Sequence, residues 1–328
     1  MKVMPKELHE PIFDLNSTLC CGQAFRWDKQ GEWWLGVFGR NACRVRQKSS
    51  CIEFEGADDR SIKNYFRLSD EMPKILSTID KDKHIHRAIV KFKGLRILRQ
   101  EPWECLISYI CATYKNIPAI KNMLNNLSQK FGEEICLANH SFYIFPSARE
   151  LANASLHSLE ACSLGYRAKY VSETAKKICN DALDLESLKK KSYDEARREL
   201  LELPGVGPKV ADCILLFSLE KLEAFPVDLW IKRAILKYYA AQLPRPFVEK
   251  ITAQGSLTNT SYGKLSSFGR QYFGKYAGYA QEYLYHYERT KIPRLLKHAH
   301  RILPGHNGSI FEVESTVPED TGVKPKNT

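Results

Sequence analysis

A lysine directly follows a glycine- and proline-rich turn in the segment LPGVGPK, where Lys209 heads the apolar run VADCILLF. Apolar surroundings and the positive end of a helix dipole both disfavour the ammonium form, so an amine placed there loses its proton readily. A neutral amine is a nucleophile that forms a Schiff base with a sugar aldehyde. The pattern therefore indicates amine chemistry, with a plain joint between two helices as the alternative interpretation.

A carboxylate follows within the next twenty residues, in PVDLWIKR, where Asp228 precedes a helical pattern. Aspartate at this position is a favourable N-cap, because its side chain accepts a hydrogen bond from the first turn. A carboxylate fixed in this way can also face a developing positive charge. The cap and a catalytic role are compatible interpretations of Asp228.

The turn before the lysine has the composition of a phosphate-binding hairpin. Gly205 and Gly207 permit positive φ on either side of Val206, and Pro208 suits the first turn of the following helix. Backbone N–H groups at such a helix N-terminus attract phosphate. We therefore predict phosphate contacts at Gly205, Val206 and Gly207.

Composition narrows the class of protein. The 328 residues include 49 Lys and Arg against 38 Asp and Glu, a net charge of +11, which favours an anionic partner. Ten cysteines are scattered without a C-x-x-C pair, which is typical of reduced thiols and argues against a structural zinc or iron–sulfur site. An apolar stretch of membrane-spanning length and a secretory leader are both absent from the sequence, so we expect an intracellular, non-membrane protein.

The pattern of apolar residues divides the chain in two. Short strand-like segments separated by turns, FRW, WWLGVF, ACRVRQ and CIEFEG, predict an antiparallel sheet domain over residues 1–95, with a helix from Ser61 to Ile79. Helical periodicity then predicts an all-α domain over 96–303, and the composition of 304–328 predicts a disordered tail. The predicted fold class is α+β.

Helical patterns recur throughout the second domain, in the segments EPWECLISYIC, NIPAIKNMLNNLSQKF, AKYVSETAKKIC, YDEARRELLEL, KVADCILLFSL, DLWIKRAILKYY and YAGYAQEYLYHYERT.

With these segments in view, LPGVGPKVADC followed by PVD resembles the signature of the helix-hairpin-helix (HhH-GPD) DNA glycosylases. Within that superfamily the chain is similar to the 8-oxoguanine DNA glycosylase/AP lyases. The blocks CGQAFRW, YFRLSD, GLRILRQEPWECLISYIC, SLGYRAKYV and YAGYAQEYL extend the resemblance from Leu15 to about Arg289. It implies a TBP-like sheet domain followed by a helical glycosylase domain.

The resemblance assigns roles to individual positions. Lys209 matches the nucleophile that forms the Schiff base, and Asp228 the carboxylate that stabilises the oxocarbenium-like transition state. Cys213, one helical turn after Lys209, matches a residue that lines the base pocket. Gly22 matches the glycine whose carbonyl accepts the N7–H that oxidised guanine carries and guanine lacks.

Further positions are implied to contact the base and the duplex. Gln281 matches the reader of the Watson–Crick edge, and Tyr285 stands where a phenylalanine commonly stacks on the base. Tyr166 matches the wedge inserted into the duplex, and Arg167 the arginine that reads the opposite base. Taken one at a time, Gln281, Tyr285 and Tyr166 are more typical of an ordinary helix-surface, core and loop residue; their joint occurrence in the family blocks favours the functional interpretation.

Three further positions depart from the family pattern. In TYKNIPA, Tyr114 and Ala119 replace the asparagine and arginine that help to recognise the opposite cytosine, so we expect weaker discrimination against adenine. Trp230 replaces a common phosphate-contacting histidine and keeps only an indole N–H donor.

The resemblance implies excision of 8-oxoguanine from double-stranded DNA, followed by β-elimination at the abasic site. It implies no metal or organic cofactor for these steps, a monomer, and a location with the genome, in a nucleus or in a prokaryotic nucleoid or cytoplasm. A non-catalytic helix-hairpin-helix DNA-binding module is the alternative from another class, and a glycosylase for another damaged base is the nearest enzymatic alternative.

Overall fold

The computed structural model describes residues 5–180 and 183–291. Seven strands lie in these ranges; five form an antiparallel sheet in the order β1-β5-β4-β3-β2, and two form a separate hairpin. The strands are β1 Lys6–His9, β2 Trp27–Gln30, β3 Trp33–Phe38, β4 Asn41–Lys48, β5 Cys51–Glu55, β6 Glu134–Leu137 and β7 His140–Tyr143. The predicted strands WWLGVF, ACRVRQ and CIEFEG are confirmed as β3, β4 and β5. The predicted strand FRW is wrong in its position, because β2 begins only at Trp27 and continues through Gln30, where polar residues pair with β3 at the sheet edge. The predicted tail 304–328 lies outside the described residues.

The sheet buries one face against a helix. Val45, Ile52 and Phe54 are fully buried on neighbouring strands, and the indole N–H of Trp27 donates to the Tyr65 hydroxyl at 2.9 Å. Strand β1 pairs with β5 at the sheet edge, where Leu8 lies opposite Ile52. Sequence reasoning missed β1 because KELH is short and largely polar, and an edge strand needs little apolar surface.

Fifteen α-helices lie in the described ranges, and every predicted helical segment of the second domain is among them. They are α1 Leu15–Cys20, α2 Asp59–Tyr65, α3 Met72–Ile79, α4 Lys83–Lys91, α5 Pro102–Cys111, α6 Ile117–Phe131, α7 Ala148–Asn153, α8 Leu156–Leu159, α9 Arg167–Cys179, α10 Tyr193–Leu200, α11 Pro208–Ser218, α12 Leu229–Tyr238, α13 Arg245–Ala253, α14 Asn259–Phe273 and α15 Ala277–Thr290.

The prediction of one helix from Ser61 to Ile79 is wrong, because α2 and α3 are separated by a turn at Arg67. Arg67 has φ +51° and is buried, and its guanidinium donates to Glu220 at 2.8 Å. Its carbonyl accepts from the Arg96 guanidinium at 2.6 Å. Both partners are distant in sequence, so tertiary contacts hold a break that local periodicity does not reveal.

A larger core joins the helices. The apolar face of α11 is buried together with α5, α12, α14 and α15, and helices α3 and α4 contribute Met72, Ile75, Ile79 and Ile85 to the same core. Helices α3 and α4 precede residue 95, where the sequence suggested a boundary between the two domains, and that boundary stays a prediction. Within 5–180 and 183–291 no helix is both long enough and apolar enough to cross a bilayer.

Candidate active site at the start of helix α11

The hairpin before α11 is a tight, well-held turn. Gly205 has φ +79°, and a Cβ at this position would lie 2.9 Å from Tyr170 Cβ, so glycine is required on both counts. The Val206 N–H donates to the Leu203 carbonyl at 3.1 Å, and the Thr174 hydroxyl donates to the Pro204 carbonyl at 3.0 Å. The chain therefore enters α11 along a fixed path.

The first turn of α11 is left open for a ligand. Gly207 is its N-cap, and no side chain caps the helix. Lys209 is exposed in this turn and makes no hydrogen bond or ion pair with any described residue. An uncapped helix start with an unpaired amine beside it suits an anionic backbone.

Cys213 lies one turn further along α11 and is buried. Burial raises the pKa of its thiol well above the ordinary range, although the nearby charge of Lys209 acts in the opposite direction. The structure thus places Cys213 and Lys209 on one side of the helix, as their spacing predicted. A thiol held in its neutral form is suited to packing or hydrogen bonding, and not to nucleophilic attack.

The buried carboxylate of Asp212 fixes α11 against its neighbours. It lies between Lys209 and Cys213 in the sequence but faces the core, with no solvent exposure. Four side chains donate to its oxygens: Tyr193 at 2.7 Å, Arg197 at 2.9 Å, Tyr262 at 2.6 Å and Ser266 at 3.2 Å. Since these donors come from α10 and α14, the network sets the position and rotation of the helix that carries Lys209.

Asp228 caps α12, as its position suggested. Its carboxylate accepts from the Ile231 N–H at 2.8 Å. Burial raises the pKa of Asp228 above its ordinary value, and the positive charge of Lys209, followed by the N–H groups of Ile231 and Trp230, opposes that shift. A desolvated carboxylate that interacts with the lysine across the gap between two helix starts can stabilise positive charge there.

The predicted base-pocket residues of α15 meet the turn after α1. Gly22 has φ +101°, and a Cβ there would lie 3.4 Å from the Tyr285 hydroxyl. Gln281, one turn before Tyr285, is buried, and its Oε1 has no hydrogen-bond partner among the described residues. Burial of an amide oxygen without a partner is costly, and such an atom is commonly one that a ligand satisfies.

Sequence reasoning missed two residues of this region, Glu282 and Arg289. The Arg289 guanidinium donates to the Cys20 carbonyl and lies 5.2 Å from the centre of the Tyr285 ring. Glu282 is buried three residues before Tyr285. The available signal was their spacing, because 282, 285 and 289 share one face of a helix.

Two tyrosines project from the surface near the hairpin. Tyr114, in a left-handed conformation with φ +53°, is 87% exposed, and Tyr166 is 56% exposed. Tyr166 contacts Tyr170, the residue that packs on Gly205, with 6.0 Å between the ring centres. The predicted wedge, the substituted loop and the hairpin therefore belong to one surface.

Arg167 is buried and turned inward, in contrast to its neighbour. Its guanidinium donates to the carbonyls of Thr113 and Leu164 and lies 4.3 Å from the centre of the Tyr166 ring. In this state Arg167 supports the turn that presents Tyr114 and Tyr166. Reading of an opposite base by Arg167 requires its side chain to leave these carbonyls.

The remaining predicted positions lie at the starts of helices. Trp230 is half-buried in the first turn of α12, with the Arg233 guanidinium 5.4 Å from its ring. Ala119 lies in the first turn of α6, where its N–H donates to Asn116 at 3.0 Å. In residues 5–180 and 183–291, no three His, Cys, Asp or Glu side chains are grouped closely enough to hold a metal ion.

Comparisons with known proteins agree with this architecture. Residues 4–106 match the model of the 8-oxoguanine DNA glycosylase N-terminal domain, and residues 107–253 match the HhH-GPD superfamily of base excision DNA repair proteins. The N-glycosylase/DNA lyase of Saccharomyces cerevisiae is 30% identical over 312 residues, covering 83% of this chain and 82% of the yeast protein.

Solved structures show the same fold. The 8-oxoguanine glycosylase/lyase of Clostridium acetobutylicum, in complex with double-stranded DNA containing cytosine opposite 8-oxoguanine, is 31% identical. Its TM-score is 0.78, with 88% of this chain and 98% of that chain covered. The 3-methyladenine DNA glycosylase of Archaeoglobus fulgidus shares the fold at 20% identity and a TM-score of 0.69.

A sheet domain joined to a helical domain, with a glycine-rich hairpin at the start of a lysine-bearing helix, defines the class of helix-hairpin-helix base excision repair proteins. Within that class, the chain belongs to the 8-oxoguanine DNA glycosylase/DNA lyase family. DNA is accordingly its binding partner.

Proposed function

We propose that this protein excises 8-oxoguanine from duplex DNA and cleaves the abasic strand through a Schiff base on Lys209. The observation that carries the proposal is the electrostatic interaction of an exposed, unpaired Lys209 with the half-buried carboxylate of Asp228. A target base must leave the stack before its C1′ can be reached, and the open first turn of α11 offers N–H groups to the phosphates of such a distorted strand.

In the proposed reaction, the Lys209 amine attacks C1′, and the glycosidic bond breaks with its electron pair going to the base. The sugar then carries positive charge that the Asp228 carboxylate faces. The added amine then loses a proton and the C1′–O4′ bond breaks, with its electron pair going to O4′, which takes up a proton; this gives the imine. The imine acidifies the C2′ proton, and loss of that proton expels the phosphate at C3′ and cuts the strand. The scheme calls on no cofactor.

The other assigned residues are proposed to hold the flipped base and the duplex. Gly22, Cys213, Gln281 and Tyr285 surround the base, with the Tyr285 ring stacked on it. Tyr166 fills the gap in the duplex beside the hairpin residues Gly205, Val206 and Gly207. The indole N–H of Trp230 donates to a phosphate.

Substitutions of Asp228 test the proposal, because they can distinguish its role as an N-cap from its role as a negative charge. Asp228→Asn keeps a good N-cap, whereas Asp228→Ala removes both cap and charge, and the lost cap costs about 1 kcal/mol. We expect both variants to lose about 10²- to 10³-fold in 8-oxoguanine excision under single turnover, while only the alanine variant melts at a lower temperature. If Asp228→Asn excised at the wild-type rate, the carboxylate would be a cap only.

The alternative function, a DNA-binding module without chemistry, makes a different prediction in the same experiment. If the protein were such a module, wild type and every variant would shift the duplex in a gel, and none of them would release the base. We propose instead that wild type both binds the duplex and releases the base, whereas Lys209→Gln binds the duplex and releases no base.

The opposite-base preference follows from the substituted loop. Tyr114 and Ala119 offer no charged donor to a cytosine, and Arg167 is held by Thr113 and Leu164. We expect the ratio of excision rates from lesion:cytosine and lesion:adenine duplexes to stay below about a hundredfold. A larger ratio would show that discrimination does not depend on the replaced residues.

We infer that the protein works as a monomer inside the cell, on genomic DNA. The support for the location is its family, whose substrate is DNA. Sedimentation of the protein with and without duplex tests the monomer.

A further inference from the structure

A second buried acid, Glu282, lies beside the base-pocket residues and has no role in the reaction described above. It is 2% exposed, and its Oε1 has no hydrogen-bond partner among the described residues. On α15 it follows Gln281 directly and precedes Tyr285 by three residues. An unsatisfied carboxyl in a core is destabilising, so its presence calls for a partner that arrives with a ligand.

Glu282 faces the turn that contains Gly22. The side chains of 282, 285 and 289 form a stripe on α15, and that stripe packs on the turn Cys20–Gly22. A Cβ on Gly22 would lie 2.9 Å from Nη1 of Arg289. The Glu282 carboxyl interacts with the thiol of Cys21, the residue directly before Gly22.

Glu282 is also close enough to the candidate catalytic groups to interact with them electrostatically. Its charge raises the pKa of the Cys213 thiol on α11, and the charge of Asp228 in turn raises the pKa of Glu282. The titratable and charged groups around it are Cys21 from the turn, Tyr109 from α5, Cys213 from α11, Asp228 before α12, and Tyr285 and Arg289 from its own helix. Glu282 therefore lies between the residues that are proposed to enclose the base.

These surroundings keep a substantial fraction of the acid protonated at neutral pH. Burial raises the pKa of Glu282 to about 7, against the smaller opposing effects of the Cys21 thiol and Arg289. A protonated carboxyl is a hydrogen-bond donor, which an ionised one is not.

We propose that Glu282 is a specificity-determining residue, whose carboxyl donates a hydrogen bond to O8 of the flipped 8-oxoguanine. The inference rests on the proposed function, in which the Gly22 carbonyl accepts the N7–H of the lesion. O8 is attached to C8, the ring atom bonded to N7, and the residue next to Gly22 is the one that Glu282 contacts. Guanine has C8–H in place of O8, so it leaves the buried donor unpaired and is rejected.

A conservative and a truncating substitution of Glu282 distinguish a role as hydrogen-bond donor from a role in packing alone. Glu282→Gln keeps an N–H donor of similar size, and Glu282→Ala removes it. Glu288→Gln is the matched control, since Glu288 lies on the same helix but pairs with Lys291 at 2.8 Å, away from the pocket. The substrates are a duplex with 8-oxoguanine opposite cytosine and the same duplex with a preformed abasic site, both with full-length protein under single turnover.

We expect Glu282→Ala to excise 8-oxoguanine about ten- to a hundredfold more slowly than wild type, the loss expected for one buried hydrogen bond. Glu282→Gln and Glu288→Gln retain excision within about threefold at pH 6.5, below the midpoint for loss of the Glu282 proton. Cleavage of the abasic duplex, which has no base to bind, is unchanged in all three variants.

The pH dependence provides a second readout that a structural role does not change. The ratio of excision rates, Glu282→Gln over wild type, cancels the titration of the attacking amine. This ratio rises as the pH is increased above about 7, because wild type loses its donor and the amide does not.

The proposal is overturned if Glu282→Ala excises like wild type, if Glu282→Gln falls as far as Glu282→Ala, or if the rate ratio is flat from pH 6 to pH 9. Loss of abasic-site cleavage together with excision in Glu282→Ala also overturns it, since that result indicates a general structural role. Failure of the proposed function looks different, because wild type itself would then release no base.

Discussion

Two of the buried carboxyls in the helical core, those of Asp212 and Glu282, differ in what surrounds them. Asp212 is completely buried and accepts hydrogen bonds from four side chains. Glu282 is almost as deeply buried and leaves Oε1 unpaired among the described residues. A carboxylate whose oxygens are all hydrogen-bonded fixes helices in place, whereas a buried carboxyl with one oxygen unpaired weakens the fold and is retained for another purpose. Within one core, Asp212 thus supports the fold, and Glu282 belongs to the candidate site.

The largest loss of stability is expected on substitution of Asp212, the carboxylate that fixes the helices. Asp212→Ala leaves four donors, three of them buried, without their acceptor, so the free energy of unfolding should fall by about 3 to 5 kcal/mol. Urea denaturation at pH 7 measures this loss, and Tyr262→Phe, which removes one donor, is the graded control at about 1 kcal/mol. Equal losses in the two variants would mean that Asp212 depends on a single partner.

At high pH, Glu282→Gln should raise the free energy of unfolding relative to wild type, whereas Asp212→Ala lowers it. The unfolded acid titrates near 4.5 and the folded acid at about 7, so wild type loses stability as the pH rises through this window. The variant has no such group and should gain roughly 2 to 3 kcal/mol relative to wild type between pH 5 and pH 8. Parallel unfolding curves at the two pH values would show that Glu282 is ionised in the folded protein.

A smaller effect is expected at the turn that Glu282 faces. Gly22→Ala places a side chain at φ +101°, which should cost about 1 to 2 kcal/mol, and crowds Arg289 beside the base pocket. Gly31→Ala is the matched control, because Gly31 also has a positive φ, +59°, and nothing within 4 Å of the added Cβ. We expect both variants to lose stability and only Gly22→Ala to lose 8-oxoguanine excision, measured against cleavage of an abasic duplex.

The sequence predicted the parts of the fold that local patterns determine. Helix α11 and its hairpin were predicted because glycine, proline and an apolar run have local meaning, and Asp228 because an N-cap is a local device. The break at Arg67 was not predicted, since its partners Glu220 and Arg96 are far away along the chain.

The candidate site shows the same division. Lys209 and Asp228 can be recognised from sequence motifs. The role of Glu282 depends on Cys21 and Asp228, which come near it only in the folded chain. The inward position of Arg167 likewise depends on the carbonyl of Thr113, on a different segment. A burial state or an unsatisfied atom is a property of packing, which residue types alone do not specify.

The most direct test of the central claim is borohydride trapping on a duplex with one 8-oxoguanine opposite cytosine. Wild type and Lys169→Gln, which changes an exposed lysine of α9, should give a covalent protein–DNA band, because reduction fixes the imine between protein and sugar. Lys209→Gln should give none. A band of undiminished intensity in Lys209→Gln, or base release by wild type without any band, would contradict the assignment of Lys209 as the nucleophile.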